Sequence, residues 1–205
     1  VIPLIFDAKT VWIIAGGPSL SGLDFTRLTG KPTIAINRAH ERLPDATLLW
    51  WSDVIFWRRH CDALLAHAAP YKATALHDYP AEDFPPEDVV HRYKFTGCTG
   101  FDEDLGQIRH GNNSTYAAMH LAVHLGAKKL VLLGCDMRHT KDGRTHWHDG
   151  YPAPAQPETL AQLMLPHFKT LAPALAARGV EVLNASPDSA LVVWARCSIE
   201  EGLAS

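Results

Sequence analysis

Val11-Trp12-Ile13-Ile14-Ala15 runs straight into Gly16-Gly17-Pro18-Ser19-Leu20, and this stretch decides the fold. An unbroken apolar run offers no polar face to water, so it reads as a strand covered on both sides, as in a parallel sheet. The glycines end it abruptly and let the backbone turn tightly and approach a ligand closely. Working outward, the pattern recurs. Residues 32–36 form a second strand ending at Asn37, residues 46–51 a third ending at Ser52-Asp53, and residues 129–134 another ending at Cys135-Asp136. Residues 180–184 form the last strand, followed by Ser186-Pro187, and residues 72–77 are a further candidate. Helical segments lie between them. A short piece spans 24–28, and a helix over 54–68 draws Ile55, Leu64 and Leu65 toward the core. From Asn113, the residues Ser114, Ala118, Leu121, Ala122 and Leu125 follow a 3.6 period, with Asn113 or Ser114 as N-cap and Gly126 as stop. A helical stretch at 158–178 should be kinked or interrupted by Pro166 and Pro173.

Strand–helix alternation of this kind predicts an α/β, Rossmann-like fold: a mostly parallel sheet flanked by helices, in one nucleotide-binding domain over 1–205. The proline-broken region at 79–110, irregular through Thr99, reads as a lid or small subdomain. In such a fold, ligands bind beyond the carboxyl ends of the strands. Four polar strand ends should therefore converge on one rim.

Composition narrows the class. The chain has 205 residues with a formal net charge of −3, which argues against a dedicated nucleic-acid binder. No apolar run approaches the length of a membrane span, and no secretory leader pattern is present. Four cysteines, at 61, 98, 135 and 197, form no C-x-x-C pair, which points away from a zinc knuckle and toward a reducing, cytoplasmic setting. The twelve histidines are the first compositional hint of chemistry.

The candidate site residues sit at the strand ends. Gly16, Gly17, Pro18 and Ser19 form a turn whose N–H groups suit phosphate, although the pattern is neither G-x-G-x-x-G nor a Walker loop. Asn37 caps its strand, and Arg38 beside it offers a cation to a phosphate. Asp53 suits a ribose hydroxyl, a metal or a helix cap. Asn113, Ser114 and Thr115 open a helix, where a base or phosphate is favoured. Asp136 precedes a loop holding His139, His146 and His148; it could orient a histidine or take a metal. His146 and His148 are candidates for acid/base catalysis, and the spacing does not make a zinc site. Tyr116, His120 and His124 share the helix face away from the core stripe, which reads as surface or an oligomer contact. Trp50, Trp51 and Trp57 read as core.

Residues 13–20 resemble the G-x-G-P-S-L start shared by two families: the bacterial CMP-sialic-acid-dependent sialyltransferases of the Campylobacter type, and the family of the archaeal 6-hydroxymethylpterin diphosphokinase. The likeness continues through the small-residue helix, the Leu125-Gly126 turn and Gly134-Cys135-Asp136, then through the histidine loop to Ser186-Pro187-Asp188-Ser189, a piece closer to the sialyltransferases. Similar short proteins also look phage-encoded. The resemblance implies that Gly17, Pro18 and Ser19 meet the nucleotide phosphate, that Asn37 and Asp53 contact the nucleotide, and that Ser114 and Thr115 lie near the cytidine. It further implies that His146 or His148 is the general base on the acceptor hydroxyl. Gly16 stands where a polar residue is common in the family.

The leading expectation is a nucleotide-dependent transferase, most simply a glycosyltransferase with a CMP-sugar-like donor and no metal. One alternative is a Mg²⁺-ATP-dependent pyrophosphokinase with Asp53 and Asp136 on the metal. The other is a non-catalytic nucleotide- or sugar-binding phage accessory protein. Self-association is left open.

Overall fold

The computed structural model describes residues 2–76, 80, 83–149 and 156–205. Eight strands form one sheet, and every recorded pairing is parallel. They are β1 (Thr10–Ile14), β2 (Thr33–Ile36), β3 (Leu48–Trp51), β4 (Tyr71–Leu76), β5 (His91–Phe95), β6 (Gln107–Ile108), β7 (Lys129–Leu133) and β8 (Glu181–Asn184). The order is β6-β5-β4-β3-β2-β1-β7-β8. The chain thus winds outward from β1 to β6, then crosses back to lay β7 against the other side of β1. Trp12 pairs with Thr33 on one side and with Val131 on the other. The seam between β1 and β7 is where the winding reverses.

The apolar strands are apolar because both faces are covered. Alternate residues go to opposite clusters. Ile13, Ile34, Leu48 and Trp50 meet one layer, while Trp12, Ile14, Leu49 and Trp51 meet the other. The first layer holds α2 (Ser114–His124) and α3 (Leu165–Ala177); the second holds α1 (Val54–Ala66) and α4 (Ile199–Leu203). Trp50, Trp51 and Trp57 are all buried, and Trp57 stacks on Trp51 at 5.5 Å. Leu64 is in the core, whereas Ile55, expected there, is 54% exposed on the outer side of α1.

Three further expectations are corrected. The segment through Thr99 is not irregular throughout, because β5 and then β6 extend the main sheet on its far side. His91, Arg92 and Lys94 interrupt the apolar pattern that would have revealed β5. Second, the face of α2 bearing Tyr116, His120 and His124 is buried. Phe168 of α3 meets Tyr116 at 5.4 Å, and Phe101, in the turn between β5 and β6, stacks on His120 at 4.0 Å. The helix is therefore covered all round, and periodicity on one stripe hid this. Third, of the two prolines only Pro166, in the first turn of the restarted helix, marks the interruption. A π-helical turn at Leu160–Met164 precedes α3, which carries Pro173 in its interior without ending. Among the described residues, no helix is long and apolar enough to cross a membrane. All four cysteines are free thiols.

Candidate functional site

A cleft of about 450 Å³ opens beyond the carboxyl ends of the strands, at the point where the sheet's winding reverses. β1 delivers Gly16 and Gly17, β2 delivers Asn37 and Arg38, β3 delivers Ser52 and Asp53, and β7 delivers Gly134, Cys135 and Asp136. The N-terminus of α2 brings Asn113, Ser114 and Thr115 to the same wall, and His146 and His148 close it from above. Of the candidate nucleotide-binding and catalytic residues read from the sequence, only Pro18 and Ser19 stay out of the lining.

Ser19 turns inward to Asp136. Its hydroxyl donates to Asp136 Oδ2 at 2.9 Å, and its N–H approaches the same oxygen at 3.4 Å. This clamp joins the β1 turn to the β7 turn. Gly17 makes the approach possible, since a Cβ there would be driven into Asp136 Oδ2 and the Gly134 carbonyl, with Asp136 Cγ at 2.7 Å. The Gly17 N–H donates to the Gly134 carbonyl at 2.8 Å. Gly134 itself sits at φ +70°, a conformation that favours glycine. Burial pushes the Asp136 carboxyl up from its ordinary range, while the Ser19 hydrogen bonds pull it back. Burial and the neighbouring Asp136 push the Cys135 thiol up to about 12, so it is an inert core group.

Capping explains part of the polar set. Asn113 Oδ1 accepts the N–H groups of Thr115 and Tyr116, at 2.8 and 3.3 Å, which fixes Asn113 as the N-cap of α2. Asp53 Oδ1 accepts the Phe56 N–H at 2.9 Å and caps α1. Ser114 Oγ lies 3.4 Å from Ser52 Oγ, a contact the sequence reading missed because Ser52 looked like an ordinary strand end. Asn37 is different. It sits at φ +50°, and its Oδ1 is buried with no hydrogen-bond partner among the described residues. A buried acceptor without a donor, in the wall of a cleft, suits a ligand that brings one.

The histidine loop is pinned to the β1 turn. The Trp147 N–H donates to the Gly16 carbonyl at 3.0 Å, and the Trp147 ring packs on Phe25. The rings of its chain neighbours His146 and His148 stack on each other at 5.1 Å. Arg38 holds Glu41 through two N–H groups at 2.6 and 2.9 Å, and a third N–H reaches His148 Nδ1 at 3.4 Å. A guanidinium can only donate, so the His148 proton sits on Nε2. Burial, then the Arg38 cation and His146, lower the His148 pKa to about 4. Burial and His139 lower that of His146. Both rings are neutral at pH 7.

The turn after β6 brings two more residues to the cleft: Asn112, whose side-chain amide the sequence already offers to a base or phosphate ahead of α2, and His110, which sequence reasoning passed over. The signal of His110 was masked by the reading of 79–110 as a lid. Among the described residues, one grouping of histidine and carboxylate atoms lies within metal-binding reach: His40, Glu41 and His60, outside the lining of the cleft. Asp53 and Asp136, the oxygens expected for Mg²⁺, are each engaged by protein donors.

No family model matches the chain, and no curated protein matches it. Among solved structures it is similar to the sialyltransferase CstII from Campylobacter jejuni in complex with cytidine-5'-monophosphate. The identity is 15% and the TM-score 0.53, covering 94% of this chain and 86% of that one. The complex of the same enzyme with CMP-3FNeuAc matches at 13% identity and a TM-score of 0.49, over 92% and 85% of the two chains. At this identity the likeness is one of fold. Nothing in these neighbours bears on the diphosphokinase alternative or on a phage source.

Proposed function

We propose that the cleft binds a nucleotide by its phosphate, and that the protein is a nucleotide-dependent transferase, most simply a glycosyltransferase with a CMP-sugar-like donor. The observation that carries this reading is the convergence at the β1/β7 seam. There the Gly16-Gly17 backbone, the N-terminus of α2 and the unpartnered Asn37 oxygen meet two neutral histidines in one cleft. The helix terminus favours an anion, and Asn37 accepts from a hydroxyl or amino group of the nucleoside. That a solved structure of like fold is a sialyltransferase in complex with cytidine-5'-monophosphate adds support.

In this reading His146 is the general base. Its Nδ1 lies 2.8 Å from Thr145 Oγ1; an Nδ1–H donated there leaves the lone pair on Nε2. The acceptor hydroxyl oxygen attacks the anomeric carbon while the bond from that carbon to the phosphate oxygen breaks. The electron pair leaves on the phosphate, and the hydroxyl proton passes to Nε2. The phosphate's charge is met by the N-terminus of α2. His148, protonated on Nε2, serves as a donor instead.

The test is a thermal-shift panel of CMP, CTP, UDP, GDP and ATP, each with and without Mg²⁺. Stabilisation by CMP without metal is expected; stabilisation by ATP only with Mg²⁺ would move the reading to the diphosphokinase. With a turned-over donor in hand, His146→Ala should lower kcat about a hundredfold while the CMP shift persists. An equal loss for His148→Ala and none for His146→Ala would reverse the two roles. A finer check uses Gly16, where an added Cβ would lie 2.8 Å from His146 Cδ2. That neighbour is a side chain that can swing aside, so Gly16→Ala should cost under about 1 kcal/mol of stability. It should still slow turnover about tenfold, because the base is displaced. Unchanged kcat in this variant would mean that the His146 ring position is irrelevant to the reaction.

A further inference from the structure

His40, Glu41 and His60 belong to no part of the proposed chemistry, yet one ligand atom from each lies within 4.8 Å of the others. His40 and Glu41 come from the 3-10 turn Asn37–Arg42 that follows β2, and His60 from the second half of α1. His40 is buried; Glu41 is exposed and His60 half-buried. The orientation of each is set from outside the triad. His40 Nδ1 lies 2.8 Å from the Asn37 carbonyl oxygen. A carbonyl can only accept, so Nδ1 carries the proton and the neutral ring keeps its lone pair on Nε2. This is the tautomer-fixing bond that metal-ligating histidines use. Glu41 is held by the Arg38 fork, and His60 is stacked on Phe56 at 4.4 Å.

His67 is nearby but excluded. Its Nε2 faces the His40 and Leu43 carbonyls, and its Nδ1 accepts the Ala69 N–H, so both nitrogens are spent on the backbone. It braces the turn from the other side.

We propose that His40, Glu41 and His60 form a binding site for one divalent transition-metal ion, zinc in character. Two imidazole nitrogens and one carboxylate oxygen suit Zn²⁺, with solvent in the fourth position; Mg²⁺ prefers oxygen alone. Tetrahedral Zn²⁺ brings its ligand atoms to roughly 3.3 Å of one another, so binding draws the triad together by at most about 1.5 Å. The ion then staples α1 to the turn whose first residues, Asn37 and Arg38, line the cleft. Glu41 supplies the negative charge that offsets Arg38 beside the ion.

The test titrates metal-free protein with Zn²⁺ by calorimetry and with Co²⁺ by visible absorption. One equivalent with low-micromolar affinity, and a tetrahedral Co²⁺ spectrum, are expected. His40 is buried and its removal risks the fold, so the deciding variants are His60→Gln and Glu41→Gln, which should each weaken binding at least about tenfold. His146→Ala should leave binding unchanged. No saturable binding by wild type, equal affinity in His60→Gln, or loss of the ion in His146→Ala would each overturn the proposal. None of these readouts involves a nucleotide, so the site stands or falls apart from the transferase reading.

Discussion

Replacing Gly17 with alanine is expected to lower the melting temperature by about 6–12 °C and to erase stabilisation by CMP. The backbone at this position is ordinary, with φ −67°, so the penalty is not conformational. It comes from space. The new methyl group falls on the Asp136 carboxylate and on the Gly134 carbonyl, and neither can retreat freely. Asp136 is buried and held by Ser19; the Gly134 carbonyl accepts the Gly17 N–H. Relief requires parting the β1 and β7 turns, which unpairs a buried carboxylate and breaks the Ser19 clamp. Overpacking of this kind costs about 3 kcal/mol, and a chain of this size loses about 2–4 °C per kcal/mol. The same parting deforms the floor of the cleft. A thermal melt of Gly17→Ala with and without CMP checks both halves, and a melt within about 2 °C of wild type would contradict the packing argument.

His120→Ala should cost more, about 4 kcal/mol, and the folded state should weaken in mild acid through the same residue. The ring has no solvent exposure. Its Nδ1 accepts the Arg109 N–H at 3.0 Å, so the proton is on Nε2, 3.1 Å from the Asp102 carbonyl. His120 thereby ties both the turn between β5 and β6 and the segment after β6 to α2, and the latter segment carries His110 and Asn112 into the cleft wall. Alanine leaves two backbone groups unpaired and a cavity beneath Phe101. His120→Leu refills the cavity without restoring the bonds and should recover less than half of the loss.

Acid acts at the same joint. Burial, aided by His124, lowers the His120 pKa to about 3 in the folded protein. In the unfolded chain it lies near 6.5. The unfolded state therefore binds the extra proton first, and stability falls as pH drops below about 6.5. By about pH 4.5 this residue alone removes roughly 3 kcal/mol. His124, His146 and His148, also lowered mainly by burial, push the same way. Urea midpoints measured across this range should fall steadily for wild type and less steeply for His120→Leu; parallel slopes would remove His120 as the cause.

The central sheet was legible because its strands carry no ambiguity. Val11–Ala15 and Leu130–Leu133 are apolar without alternation, and each runs into glycine. The rim followed from that, since parallel strands put their ends on one side, and the cleft gathers Gly16, Asn37, Asp53, Ser114 and Asp136 there. What escaped the sequence was whatever depended on a distant partner. β5 is a strand because β4 offers it an edge, not because His91-Arg92-Tyr93-Lys94-Phe95 alternates cleanly. His120 and His124 look like surface residues until the turn between β5 and β6 covers them with Phe101. Ser19 looked like a phosphate donor because its loop does; only the β7 turn reveals that its hydroxyl is already committed to Asp136.

The seam that shapes the cleft is also its slowest part to assemble. β1 finds β2 about twenty residues along the chain but must wait over a hundred for β7. Until then its second edge is bare, apolar and ready to pair with a neighbouring molecule. Ligand-binding competence thus arrives with the longest chain closure among the strand pairings. Any lesion that delays β7 will show first as insoluble protein, before a weakened ligand interaction can be measured.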